Sequence, residues 1–242
     1  MAWRGGVGRG GVACDGRLWA TGKGGRSVPE ARPGRVDGSR PLRFFNVWPL
    51  WWANQNPQFP ISLTFDDGPS DWTPQVLDVL QGRGVPATFF QVGVNIPGRE
   101  WIDQRIVDSG DRIGAHTWTH PDLTRVGFSQ LVFEVEHSRD AVNRFLGADP
   151  ARCLRPPYGN SNGLVLNVLA ANSLAEARWD VDPTDWQTPP PQVIADRVVG
   201  AAHPGAVVLL HDGGGYRGNT VAALPQIIDR LRARGYTFVS IC

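Results

Sequence analysis

A chain of 242 residues, 41% of them hydrophobic, is long enough to bury one sizeable core and short for two. Its 24 basic and 23 acidic side chains leave a formal charge of +1 with no long run of either sign, which excludes the electrostatic footprint of a nucleic-acid or anionic-membrane binder. No stretch reaches the roughly 18 apolar residues that span a bilayer; the aromatic run Phe44–Asn54 is shorter and contains Pro49.

Residues 1–58 are rich in Gly and Arg, lack sustained periodicity and end in the Trp-rich patch Asn46–Trp52. They read as a poorly ordered N-terminal extension. The fragment Asp15–Trp19 resembles one repeat of a lectin-like β-propeller, but a single copy cannot build one. The first twenty residues lack the apolar stretch of a secretory signal.

From Pro60 onward, short apolar runs alternate with segments of helical spacing. The runs predict strands at Ile61–Phe65, Ala87–Val92, Arg112–Ala115, Arg152–Arg155, Ala177–Val181, Ala206–Leu210 and Tyr236–Ile241. Helices are predicted over 74–82, 129–146 and 219–234, the last ending at Gly235. Strands alternating with helices imply parallel strands and right-handed crossovers, in a barrel or a doubly wound sheet. In either, a site belongs at the carboxyl ends of the strands.

Of the ten tryptophans, most are expected to pack the core and the rest to suit the apolar faces of sugar rings. Cys14, Cys153 and Cys242 lack the spacing of a zinc knuckle or redox pair. Cys153 begins one predicted strand and Cys242 ends another, which in a parallel sheet separates the thiols; no disulfide is expected.

The polar residues fall at the strand ends. The first strand runs into Asp66-Asp67-Gly68-Pro69; adjacent carboxylates repel and lose hydration, and a metal resolves this if one ligates and the other remains free to take a proton. Taken alone, Asp-Gly-Pro is also ordinary turn chemistry. The third strand ends in His116-Thr117-Trp118-Thr119-His120-Pro121, where the threonines and proline argue for a tight loop carrying two ligands. Asp67, His116 and His120 would leave an open coordination position, the composition of a catalytic centre. Further along lie Arg155-Pro156-Pro157-Tyr158, the segment Trp179–Trp186 with Asp180, Asp182 and Asp185, and His211-Asp212 after the sixth strand. Each alone is an ordinary loop; together they end five of the seven predicted strands.

These five segments, in order over about residues 60–242, resemble the motifs of the polysaccharide deacetylases of carbohydrate esterase family 4. The resemblance implies a distorted (β/α)7-8 barrel forming a catalytic domain over 59–242. It implies one divalent ion, usually zinc with cobalt or another divalent ion as alternatives, held by Asp67, His116 and His120. It makes Asp66 the general base with Arg155 as its partner, and His211 the general acid tuned by Asp185, with Asp180 or Asp182 as alternatives. Tyr158 would offer its N–H to an oxyanion, and Trp186 and Leu209 would shape an acetyl pocket. Ala115 stands where the family would have Asn.

The chemistry expected is hydrolysis of N-acetyl groups on chitin, chitooligosaccharide or peptidoglycan. The alternatives are an O-acetyl esterase acting on acetylxylan and a non-catalytic glycan-binding module, which should have lost the base or a ligand. A monomer without nucleic-acid or membrane partners is expected, at an extracellular or envelope location.

Overall fold

A computed structural model describes residues 59–242. The extension 1–58, with the Asn46–Trp52 patch, the Asp15–Trp19 fragment and Cys14, lies outside the described residues. Within them alternate β1 (Phe59–Gly68), α1 (Thr73–Arg83), β2 (Thr88–Gln91), α2 (Glu100–Asp108), β3 (Arg112–Ala115), α3 (Phe128–Leu146), β4 (Cys153–Leu154), α4 (Gly163–Ala171), β5 (Ala175–Glu176), α5 (Pro191–Ala201), β6 (Ala206–His211), α6 (Gly218–Ala233) and β7 (Tyr236–Phe238). All strand pairs are parallel, in the order β5-β4-β3-β2-β1-β6, with β7 beside the start of β1.

The ring closes through a single bridge, Val181 to Val208 on β6, with the Leu209 N–H donating to the Val181 carbonyl at 2.9 Å. The result is a distorted α/β barrel. The predicted strand Ala177–Val181 is this seam and not a full strand. Its first residue donates to Leu154 on β4 and its last pairs with β6, so it reaches both ends of the sheet and ladders with neither.

β1 shows why the core sits where it does. Successive side chains of a strand point to opposite faces. Ile61, Leu63 and Phe65 are fully buried in the main apolar cluster with Val76, Leu77 and Leu80 of α1 and the stacked Phe89 of β2. Ser62, Thr64 and Asp66 point to the other face, the barrel interior, where Thr64 meets Arg155. Helices α2, α4 and α5 escaped the sequence reading for local reasons. α4 (GLVLNVLAA) is apolar almost all round, α2 is a short charged segment, and α5 opens on a run of prolines.

The cysteines correct an expectation. Cys153 and Cys242 form a disulfide with Cα atoms 5.9 Å apart. β4 is only two residues long and pairs beside Ala115, the last residue of β3, so Cys153 stands high in the barrel. β7 begins at the level of Phe59, and the chain beyond it climbs past Thr88, whose hydroxyl donates to the Ile241 carbonyl at 2.9 Å. Both thiols reach one level beside Phe90 and Ala177.

The tryptophans also depart from expectation: none of the five described is fully buried. Trp118 packs partly on the core, while Trp101 and Trp186 are 59% and 50% exposed. Among the described residues no helix is long and apolar enough to cross a membrane.

Candidate active site

At the carboxyl end of β1 the register to β2 shifts between Asp66 and Gly68, and Asp67 takes φ +73°. A regular strand would send adjacent side chains to opposite faces. The bulge turns both carboxylates into one pocket. This left-handed conformation is unfavourable for a non-glycine residue and persists where the surroundings impose it. Here the loop after β6 imposes it. A Cβ on Gly213 would collide with the Asp67 backbone, and one on Gly214 with its carboxylate. Asn95 adds a hydrogen bond from Nδ2 to the Asp67 carbonyl at 3.0 Å.

The loop after β3 brings in two imidazoles. Thr117 and His120 both have positive φ, and the turn closes with the His120 N–H donating to the Thr117 hydroxyl at 3.0 Å. Buried Glu134 of α3 accepts the N–H groups of Trp118 and Thr119 at 2.8 and 2.7 Å, anchoring the loop. His116 Nδ1 lies 2.6 Å from the Arg155 carbonyl. That carbonyl can only accept, so Nδ1 carries the proton and Nε2 presents its lone pair.

Asp67 Oδ1 lies 3.5 Å from His116 Nε2 and 3.2 Å from His120 Nε2, buried and without a well-formed hydrogen bond. The three ligand atoms fall within 4.8 Å of one another. Burial pushes the Asp67 carboxyl up, but the two imidazoles and the His211 charge outweigh it and hold it well below the usual range. An orphaned carboxylate oxygen facing two imidazole Nε2 atoms is a donor set that suits a divalent cation of zinc type.

Asp66, 3% exposed, receives Arg155 Nη1 on Oδ1 at 2.7 Å. Arg155 is wholly buried: Nη1 also donates to the Thr64 hydroxyl at 2.8 Å, and the guanidinium stacks 4.1 Å over Phe90. Burial pulls its pKa down, and the Asp66 charge works against that pull.

His211 ends β6, paired with Asp66 across the strands. Its Nδ1 is 2.7 Å from Asp185 Oδ1, and its N–H donates to Asp185 Oδ2 at 2.9 Å. Burial favours the neutral imidazole, but Asp185, Asp66 and Asp67 more than offset it, and the His211 pKa is raised. Of the three aspartates left open by the sequence, Asp185 is the one that touches His211. Asp180 caps the Val207 N–H at 2.8 Å and faces His203, while Asp182 accepts from the Thr184 N–H at 2.7 Å.

A pocket of about 410 Å³ collects Asp66, Asp67, His116, His120, Tyr158, Trp186, Leu209 and His211. Arg155 and Asp185 stand behind Asp66 and His211. Tyr158 has φ +60°, and the turn it occupies closes through the N–H groups of Gly159 and Asn160, which leaves its own N–H outside that closure. Ala115 supplies only its carbonyl, which accepts the Arg155 N–H at 2.9 Å, a contact any residue could make. The pocket also holds Asp182, offered by the sequence as an alternative to Asp185, and Trp179, expected to suit a glycan. Asn95, Glu134, Gly213 and Gly214 were missed. The run Gly213-Gly214-Gly215 directly after His211-Asp212 was a legible sign of close backbone approach, whereas nothing local marks Glu134.

The polysaccharide deacetylase family pattern matches residues 53–177. A chitooligosaccharide deacetylase of Sinorhizobium fredii is 38% identical over 75% of this chain and 89% of its own length. A peptidoglycan N-acetylglucosamine deacetylase of Bacillus cereus is 36% identical over 75% of this chain and 66% of its own. A family 4 carbohydrate esterase from Streptomyces lividans, solved in complex with acetate, superposes with a TM-score of 0.71 at 33% identity, covering 76% of this chain and 93% of that one. With the sequence pattern, the barrel and relatives at this level in agreement, the chain belongs to the polysaccharide deacetylase family, the family 4 carbohydrate esterases.

Proposed function

We propose that this chain hydrolyses N-acetyl groups on glycans containing N-acetylglucosamine, chitooligosaccharide or peptidoglycan, with Asp67, His116 and His120 holding one divalent ion, zinc by preference and cobalt as an alternative. The observation that carries the reading is the Asp66–Asp67 bulge. One carboxylate faces the Nε2 atoms of two imidazoles, and its neighbour, held by Arg155, faces the same pocket. A bound ion would supply Lewis acidity, lowering the pKa of a water and polarising the amide carbonyl.

The residues divide the remaining work. Asp66, fixed in orientation by Arg155, takes the proton of the attacking water. The Tyr158 N–H donates to the oxygen on which negative charge develops. His211, oriented by Asp185 and with its pKa raised by it, gives its proton to the departing amine, which cannot leave as an anion. Trp186 and Leu209 bound the space for the acetyl methyl group. Residues 59–242 form the catalytic domain, 1–58 an extension to it. Its polymeric substrates place the enzyme outside the cell or in its envelope, working as a monomer.

The test is acetate release from chitooligosaccharide, peptidoglycan and acetylxylan, with and without chelator and added zinc. Release from one of the first two, abolished by chelator and restored by zinc, is expected. Release from acetylxylan alone would make the protein an O-acetyl esterase, and no release from any would overturn the reading.

A further inference from the structure

We infer that Arg178, braced by Glu176, is a positioning residue for the oxyanion donor: it orients and polarises the turn from which the Tyr158 N–H meets the developing charge. The role rests on the proposed function, and Arg178 itself does not line the pocket.

The turn needs an outside support. Tyr158 at φ +60° is followed by Gly159 at φ +66°. For a non-glycine residue such a conformation costs about 1–3 kcal/mol and persists only where the surroundings impose it. Two peptide planes link Arg178 to the Tyr158 N–H. Arg178 Nη1 donates to the Gly159 carbonyl, whose peptide plane also carries the Asn160 N–H. That N–H donates at 3.1 Å to the Pro157 carbonyl, whose plane carries the Tyr158 N–H. In each plane the C=O and N–H point in opposite directions, so the guanidinium charge stands at one end of a chain of aligned dipoles and the oxyanion at the other. Hydrogen bonds in such a chain polarise one another, which makes the last N–H a stronger donor.

The support is itself held in place. Glu176 and Arg178 flank Ala177 in extended chain, so their side chains leave on the same face. The Glu176 carboxylate is buried, accepts no well-formed hydrogen bond, and has Arg178 Nε at 3.4 Å. A buried carboxylate requires a cation, and this one keeps the guanidinium in position. Trp179 closes on the same turn: a Cβ on Gly159 would stand 2.9 Å from its ring and 3.3 Å from Arg178 Nη1. The Arg178 carbonyl accepts Arg155 Nη2 at 3.3 Å, so one residue touches both the partner of the base and the oxyanion turn. Asn160 Nδ2 separately donates to Asp122 at 2.8 Å, an anchor that survives any change at Arg178 and keeps the turn in place while its orientation loosens.

The test compares the zinc-loaded full chain with Arg178→Ala, Arg178→Lys and Glu176→Gln on chitin hexasaccharide and peptidoglycan muropeptides, beside amide hydrogen exchange followed by NMR. Arg178→Ala should lower kcat about 10- to 100-fold while KM and zinc content stay within about twofold, the pattern of an interaction made only as charge develops. Arg178→Lys, which keeps a charge and a donor, should recover part of the loss, and Glu176→Gln should fall between parent and Arg178→Ala. In Arg178→Ala, exchange at the Gly159 and Asn160 amides should quicken about tenfold. An unchanged kcat, unchanged exchange, or a fall in kcat accompanied by loss of zinc and of the denaturant midpoint overturns the role, even if the parent releases acetate. Faster exchange in Arg178→Ala with no acetate released by the parent would uphold the support of the turn and sink the activity it serves.

Discussion

His211 Nδ1 and Asp185 Oδ1 are 2.7 Å apart, and the second carboxylate oxygen of Asp185 accepts both the His211 N–H at 2.9 Å and the Thr220 hydroxyl at 2.8 Å. The three bonds fix one imidazole orientation, with Nε2 turned to the pocket. Burial favours the neutral ring, but the Asp185 carboxylate bonded to Nδ1, with the charges of Asp66 and Asp67, outweighs it and raises the His211 pKa above the ordinary value of about 6.5. A group raised in this way keeps its proton to higher pH than an ordinary histidine, and its function as an acid fades as pH rises through the raised value. Asp185→Asn should therefore move the alkaline limb of the kcat profile to lower pH and reduce turnover at neutral pH by about a hundredfold. An unchanged limb would remove His211 as the titrating acid.

The bulge at Asp67 depends on two glycines that pack against it. Gly214→Ala would press a methyl group on the Asp67 carboxylate and place alanine at φ +67°. Zinc affinity, measured by competition with a chromogenic chelator, should fall about 10- to 100-fold. Gly214 is exposed, so the fold should persist, checked by an unaltered circular dichroism spectrum.

What sequence revealed and what it hid divide along physical lines. Strands that pair over several residues, β1, β2, β3 and β6, announced themselves as apolar runs, and the chemistry at their ends was legible because the fold puts it there. Asp66, Asp67, His116, His120 and His211 were read as a group for that reason. The seam at Ala177–Val181 was misread because its composition is that of a strand, whereas its hydrogen bonds depend on two distant partners. Glu134 was hidden because a glutamate in a helix is ordinary until its carboxylate proves buried against the N–H groups of Trp118 and Thr119. The disulfide was misjudged because the stagger of a two-residue strand is set by its neighbours and not by its own residues.

That disulfide carries a stability prediction. It closes a loop over a sequence separation of 89, for which chain entropy suggests about 4.6 kcal/mol. Cys242→Ser should lower the denaturant midpoint accordingly, and reductant should do the same to the parent protein but not to the variant. Cys153 lies two residues before Arg155, so activity at raised temperature should fall in step with stability. Equal midpoints with and without reductant would mean that the bond contributes nothing to stability.

The proposed function divides labour between neighbours, Asp66 for the proton and Asp67 for the ion. It is tested most directly by measuring metal content beside acetate release in Asp66→Asn and His120→Ala. Asp66→Asn should keep its divalent ion while turnover falls at least about a hundredfold, and His120→Ala should lose both. An Asp66→Asn protein that remains fully active, or that loses its ion together with its activity, would contradict the assignment.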